Sequence, residues 1–183
     1  NRFGAAASDF PKLVADSSAT NGNYPSNWLS VPLGALGELM GGGTPSKAVT
    51  KYWTGEIPWV SPKDMKAKLI TDVQDHITQE AIDNSSTRII PSGSVLFVIR
   101  GMILTHSFPV ALSGRELTIN QDMKALVPTY PETADFILLA LQAYESEIVG
   151  RVERSGHGTC RLITKDLISF VVPIPSLAEQ RRI

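Results

Sequence analysis

Two carboxylates and a lysine, Asp64, Asp122 and Lys124, have the most direct claim to catalysis in this sequence. Such a set can hold Mg²⁺ and place a cation beside an attacked phosphate, as a metal-dependent nuclease does. The carboxylates belong to the separate segments Pro62-Lys63-Asp64 and Asp122-Met123-Lys124. The preferred reading makes Asp64 the cap of a helical turn and Asp122 the border of a strand. His157 and Cys160, three apart, could begin a zinc site, but four ligands are normally needed and His76 and His106 stand isolated. The same pair offers no third residue to orient a cysteine nucleophile. Gly41-Gly42-Gly43 invites a nucleotide-binding reading, yet the phosphate-loop pattern needs glycine immediately before the lysine, and Ser46 precedes Lys47. A dinucleotide fingerprint needs a third glycine where Ser46 stands, and Pro45 would disturb the helix start. The sequence contains no glycine-rich S-adenosylmethionine loop and no Asn-Pro-Pro-aromatic tetrad. We therefore expect no catalytic residue, no metal and no cofactor of its own.

Binding chemistry is better represented. Between Gly41 and Lys68, Lys47, Lys51, Lys63, Lys66 and Lys68 face only Glu56 and Asp64, a local charge of +3 in a chain of net charge -1. Lysines at this density suit DNA phosphates, and the alternative for each is a solvated surface cation. Thr44 and Ser46 could donate to phosphate or serve the turn at Pro45. Tyr52, Trp53 and Trp59 could stack on bases, although core packing is the preferred reading for the tryptophans. A second basic loop, Arg151 to Arg161, contains Arg154, His157 and Thr159 among glycines. Arg100 ends an apolar run, where it could reach a guanine edge or pair with an acid. Asn120 and Gln121 carry amides suited to adenine, and tying loops together is their alternative role.

The elements that must position these residues are short. Leu33, Leu36 and Leu39 could share a helical face before the glycines, Ile57 to Val60 reads as a strand, and Ile77 to Ile82 as a short helix. Arg88–Ile90 and Val95–Arg100 flank Pro91-Ser92-Gly93, which predicts a hairpin with a type I turn. Phe108–Leu112 and Leu117–Ile119 predict a second pair, and Met123–Val127 a further strand. One long helix is expected from Ala134 to Val149, capped by Thr133 and stopped by Gly150. Ile168–Val172 reads as a last strand ended by Pro173 and Pro175, and Leu177–Ile183 as the start of another helix. This order predicts an α+β fold: a single globular domain with a mixed, mostly antiparallel twisted sheet and a few packed helices.

The whole chain sets broad bounds. Its 183 residues can bury one substantial core, and 43% hydrophobic with 19% charged residues suits an ordinary globular domain. No apolar run approaches the length of a membrane-spanning helix. One cysteine excludes an internal disulfide and suits a cytoplasmic location. The first residue is not methionine, which fits a fragment or a processed chain.

Six segments, in order, carry a resemblance: GGTPSK from Gly42, YWTGEIPWVSPKDMK from Tyr52, IIPSGSVLFVIRG from Ile89, INQDMKAL from Ile119, GHGTCRLITKDL from Gly156 and VPIPSLAEQRRI from Val172. Together they resemble a target recognition domain from the specificity subunit of type I restriction-modification systems, over roughly Trp28 to Ile183. The resemblance implies a non-catalytic module that binds double-stranded DNA and reads one half of a bipartite target. Residues 1–27, rich in Ala, Ser, Asn and Asp with few large apolar side chains, read as a tail or linker, and the resemblance implies the recognition domain over 28–175 and the start of a helical spacer over 176–183. Leu177, Gln180 and Ile183 would then dock methyltransferase (M) subunits, with restriction (R) subunits joining through the complex. S-adenosylmethionine would serve the M subunits, and ATP with Mg the R subunits. A second recognition domain would come from the same chain or from dimerisation.

Overall fold

The segment Val95–Val98 reads Val-Leu-Phe-Val without a polar residue, and all four side chains are fully buried. A strand apolar on both faces must lie inside its sheet. In the computed structural model, which describes residues 24–154 and 159–183, it is the central strand of five. Numbering strands in chain order, β2 (Gly37–Gly41), β9 (Met123–Pro128), β6 (Val95–Val98), β7 (Val110–Ser113) and β4 (Leu69–Ile70) lie side by side in that order. All neighbours are antiparallel except β4 and β7. A second sheet has β3 (Ile57–Val60) between β5 (His76–Ile77) and β8 (Thr118–Ile119), antiparallel to the first and parallel to the second. Two antiparallel pairs complete the set: β1 (Leu29–Pro32) with β12 (Val171–Ile174), and β10 (Glu153–Arg154) with β11 (Cys160–Arg161). The expected α+β class with mostly antiparallel pairing therefore holds, distributed over several sheets rather than one.

Helices are few and short. α1 (Gln79–Asp83) starts at Thr78, whose hydroxyl accepts the Ala81 amide. α2 (Ala134–Ala143) buries Phe136, Ile137, Leu138 and Leu141 and packs on β6 and β7. α3 (Glu145–Val149) follows at once, α4 (Thr164–Ile168) precedes β12, and α5 (Leu177–Gln180) is capped by Ser176 accepting from the Glu179 amide. Among the described residues no helix is long and apolar enough to cross a membrane.

Several sequence expectations are corrected by long-range contacts. Leu33–Ala35 is a single 3-10 turn and Leu39 lies in β2, because Gly37 admits the β9 backbone so closely that a Cβ there would sit 2.1 Å from the Val127 oxygen. His76–Ile77, read partly as helix, is strand, and the helix begins only after Thr78. Neither predicted hairpin forms: Ile90 makes one bridge to Leu117, β6 pairs with β7 and β9, and β8 joins the other sheet beside β3. Gly93, expected at the last position of a type I turn, has φ +80°, the value required at the third position of a type II turn. The long helix is interrupted at Tyr144, whose ring packs edge-on against Phe170 at 5.5 Å, next to Glu145, which accepts the Phe108 amide. Thr133 is buried and donates its hydroxyl to the Tyr130 carbonyl instead of capping. The last strand is displaced to Val171–Ile174, with Ile168 ending α4. Pro173 is accommodated because that strand pairs on one side only, with β1.

The first 23 residues of the expected tail lie outside the described residues. From Tyr24 the chain is in contact with the domain. Trp28 donates its indole N–H to Glu179 at 3.0 Å and packs edge-on against Phe136, so the start of the described chain is fastened to α5.

The glycine loop is held by the same close approach as Gly37. A Cβ on Gly42 would lie 2.1 Å from the Ile119 oxygen and 2.2 Å from the Asn120 oxygen, whereas one on Gly93 would meet nothing within 4 Å. Gly42→Ala should therefore displace backbone and cost about 1–3 kcal/mol. Gly93→Ala, opposed only by its dihedral, should cost about 1–2 kcal/mol. Equilibrium urea unfolding of the two variants checks both, and Phe97→Ala, which empties the core beside Phe108, should lose about 3–5 kcal/mol in the same assay.

Candidate nucleic-acid interface

Parallel pairing of β3 with β8 brings their C-terminal ends out side by side, with the Asn120 amide donating to the Val60 carbonyl at 2.9 Å. The chain after β3 makes the turn Pro62–Asp64, and the chain after β8 makes the connector Asn120–Gln121–Asp122 that leads into β9. Asp64 accepts from both the amide and the hydroxyl of Ser61, at 2.9 and 2.8 Å. This is the capping role expected of it.

Asn120 is 6% exposed, its Oδ1 accepts the Asp122 amide at 3.1 Å, and its own position is fixed by Val60. It is placed as a loop tie, the alternative weighed against base contact. Gln121 is exposed and its Oε1 accepts a short hydrogen bond from the Thr44 hydroxyl. The Asp122 carbonyl accepts from the amides of Ile99 and Arg100, at 2.8 and 3.2 Å, and its carboxylate lies 3.7 Å from the Arg100 guanidinium. Arg100 thus has the acid partner considered for it.

The glycine loop joins this connector from the other side. Gly43 donates its amide to the Ile119 carbonyl at 3.0 Å. Trp59, 5% exposed, donates its indole N–H to the Gly43 carbonyl at 2.9 Å, and half-buried Trp53 donates to the Ser46 carbonyl at 3.2 Å. Their rings meet edge to face with centroids 5.1 Å apart. The two tryptophans are therefore packing groups that hold both ends of Gly43–Ser46, as preferred from the sequence. Together with Lys47, Thr50 and Asp75 they line a cavity of about 360 Å³.

The lysines do not form a uniform positive patch. Lys51 donates to Glu80 at 2.5 Å and Lys63 to Asp75 at 2.7 Å, and these hydrogen bonds raise both ammonium groups above their ordinary pKa. Glu80 and Asp75 lie outside Gly41–Lys68, so the local sequence charge overstates the field. Lys47, Lys66 and Lys68 are exposed and have no carboxylate partner among the described residues.

Arg100 carries the surface across to the second basic loop. It forms an antiparallel bridge with Arg161, while Gly101 donates to the Cys160 carbonyl at 3.0 Å and Leu162 to the Ile99 carbonyl at 2.9 Å. Arg161 in turn stands opposite Glu153 across β10–β11. Asp122, Arg100, Arg161 and Glu153 therefore make a row in which two like charges are adjacent and flanked by acids. Arg100, Glu153, Arg154, Thr159 and Arg161 line a concavity of about 570 Å³. Arg154 also donates to the Thr105 carbonyl at 3.3 Å.

Other expected contacts lie elsewhere. The Arg151 guanidinium sits 4.7 Å from the centroid of Phe170, outside this concavity, and His157 lies outside the described residues. Cys160 is buried. Among the described residues no three His, Cys, Asp or Glu side chains cluster to hold a metal. The nuclease set gains no support: Asp64 caps its own turn, Asp122 faces Arg100, and the Lys124 ammonium lies over Gly41. Toward the end of the chain, Ile183 is exposed, Leu177 is half-buried, and Gln180 donates to the Pro175 carbonyl at 2.9 Å. Sequence reasoning missed Asp75, Glu80, Glu153 and the Met102–Thr105 turn, because only tertiary pairing brings them to the basic residues.

The DNA specificity domain of type I restriction modification, as a sequence family, matches residues 25–183. The chain is 40% identical over 152 residues to the EcoR124I/EcoR124II specificity subunit of Escherichia coli, a match covering 82% of this chain and 38% of that protein. It is 29% identical over 170 residues to the MjaIX specificity subunit of Methanocaldococcus jannaschii, covering 88% and 37%. The HsdS subunit from Thermoanaerobacter tengcongensis shares the fold with a TM-score of 0.58 at 18% identity, over 97% of this chain and 42% of that one. A chain from a type I restriction-modification complex superposes with a TM-score of 0.62 at 19% identity, over 96% and 42%. The chain thus spans about two fifths of the length of these relatives. With the family domain matched from Pro25 to the last residue, the chain belongs to the type I restriction-modification DNA specificity family.

Proposed function

We propose that this chain is a target-recognition module that binds double-stranded DNA, reads one half of a bipartite site and directs adenine methylation and restriction by partner subunits. The observation that carries the reading is the facing pair Arg100 and Arg161. Like charges directly opposite one another across a ladder repel; Asp122 and Glu153 offset part of that repulsion, and a phosphate held between the arginines would relieve the rest. The exposed Lys47, Lys66 and Lys68 and the Thr44–Gln121 pair extend the same reading through the connector. Phosphate contacts would set register and orientation, and side chains on the loops would choose the bases.

In this reading the module is non-catalytic. Methyltransferase subunits supply S-adenosylmethionine chemistry, and restriction subunits supply ATP- and Mg-dependent steps. The division into a tail over 1–27, a recognition domain over 28–175 and a spacer start over 176–183 belongs to the same proposal. So do docking through Leu177, Gln180 and Ile183, a second recognition domain and a cytoplasmic location. The helix capped at Ser176 runs to Gln180, and Ile183 beyond it is exposed, which would leave its apolar side chain available to a partner.

The whole subunit, assembled with its methyltransferase partners, should bind its target duplex with an affinity that falls steeply with salt. Lys47→Ala and Lys68→Ala should each lower the log–log salt slope by about 0.9 without changing base preference. Lys51→Ala and Lys63→Ala should change it less, because their ammonium groups are already paired. Fluorescence titration over a range of salt concentrations separates the two groups. An affinity for duplex indifferent to all four substitutions and to salt would sink the reading.

A further inference from the structure

Met102 is the most exposed of the large hydrophobic side chains among the described residues, at 61%, and the DNA reading so far leaves it without a role. It opens the 3-10 turn Met102–Thr105 immediately after Arg100 and Gly101. The turn is firmly held. Gly101, at φ +139°, redirects the chain and donates its amide to the Cys160 carbonyl at 3.0 Å. Leu104 anchors the turn in the core with no exposure, and its amide donates to the Gly101 carbonyl at 3.2 Å. The Thr105 hydroxyl donates to the Met102 carbonyl at 2.7 Å, and Arg154 reaches over to the Thr105 carbonyl at 3.3 Å. A flexible thioether is therefore presented from a fixed backbone.

Three arginines adjoin its turn, with Asp122 beside Arg100 and Glu153 opposite Arg161. Arg100 lies two residues before Met102, Arg161 is bridged to Arg100, and Arg154 is bonded to the far end of the turn. An exposed apolar residue on a turn adjoined by three arginines matches a duplex better than a protein surface. Phosphates answer the arginines, while the groove offers a specific apolar group, the 5-methyl of thymine, which distinguishes one base from the other three. Methionine suits that contact because its unbranched chain adapts to the methyl without demanding one rotamer.

We propose that Met102 is a specificity-determining residue that packs on a thymine 5-methyl group, with Arg100, Arg154 and Arg161 holding phosphates around it. The inference rests on the DNA-recognition reading above and adds to it a base class and the residue that selects it.

The test uses the whole specificity subunit assembled with its methyltransferase subunits. The probes are duplexes carrying the half-site mapped from methylated adenines, with each thymine in turn replaced by deoxyuridine. One replacement should weaken wild-type binding about four-fold, the effect of leaving one methyl group in water. Met102→Ala should weaken binding to the thymine duplex by a similar factor and lose nothing further from that replacement, while Met102→Leu should retain the thymine preference. The inference is overturned if no replacement matters, or if the losses from Met102→Ala and deoxyuridine multiply as independent effects. A Met102→Ala loss with no thymine dependence would make the side chain a general wedge, and would also overturn it. Failure of the wild-type complex to bind the target duplex would overturn the DNA reading itself, and the inference with it.

Discussion

Three residues, Asn120, Gln121 and Asp122, connect the two sheets, and the backbone groups around them bind most of the surface together. The connector begins where β8 leaves its parallel neighbour β3 and ends where β9 enters the five-stranded sheet. Val60, Ile99 and Arg100 are hydrogen-bonded to its backbone, and Gly43 is bonded to the Ile119 carbonyl immediately before it. A buried asparagine at the first position satisfies the amide at the third. Polar backbone enclosed in this way needs such partners, since each unpaired group would cost about 1–3 kcal/mol. The connector therefore has little freedom, and the loops docked on it inherit that rigidity.

This constraint accounts for the glycines. Gly42 and Gly43 occupy space that a side chain would fill, against Ile119–Asn120 and against Ser86–Thr87. The loop they open is a seam between chain segments, with two indole N–H groups securing its carbonyls. Phosphate-cradling glycine loops use backbone amides turned toward a ligand, whereas the Gly43 amide points into the protein. The same glycine-rich composition thus serves opposite purposes, according to which way the amides face.

Charge is likewise redistributed by folding. Two of the five lysines in the opening basic segment are matched by Glu80 and Asp75 from farther along the chain. The two arginines that come to face each other, Arg100 and Arg161, lie 61 positions apart, yet form adjacent partners in one bridge. Tertiary contacts consequently bring two arginines side by side between segments whose own sequences are not the most basic, with Asp122 and Glu153 as their acid neighbours.

Local chemistry made some features legible from the residues alone. Continuous apolar residues marked β6, Ser61-Pro62-Lys63-Asp64 marked its own capped turn, and the six ordered motifs marked the family. The α+β class followed from short strands separated by turn residues. Strand partners were not legible, because Ile90, Leu117 and Ile119 have the same alternating apolar character whether they pair with sequence neighbours or with another sheet. The helix break at Tyr144 depends on Phe170 and Phe108, both distant in sequence. The sequence by itself determined which residues are basic, which are apolar and where the backbone can turn, since these are properties of single side chains and their near neighbours. Only the tertiary structure decided which cations are neutralised, which face one another and that Met102 stands exposed among them, because contacts across the sheets set those relations.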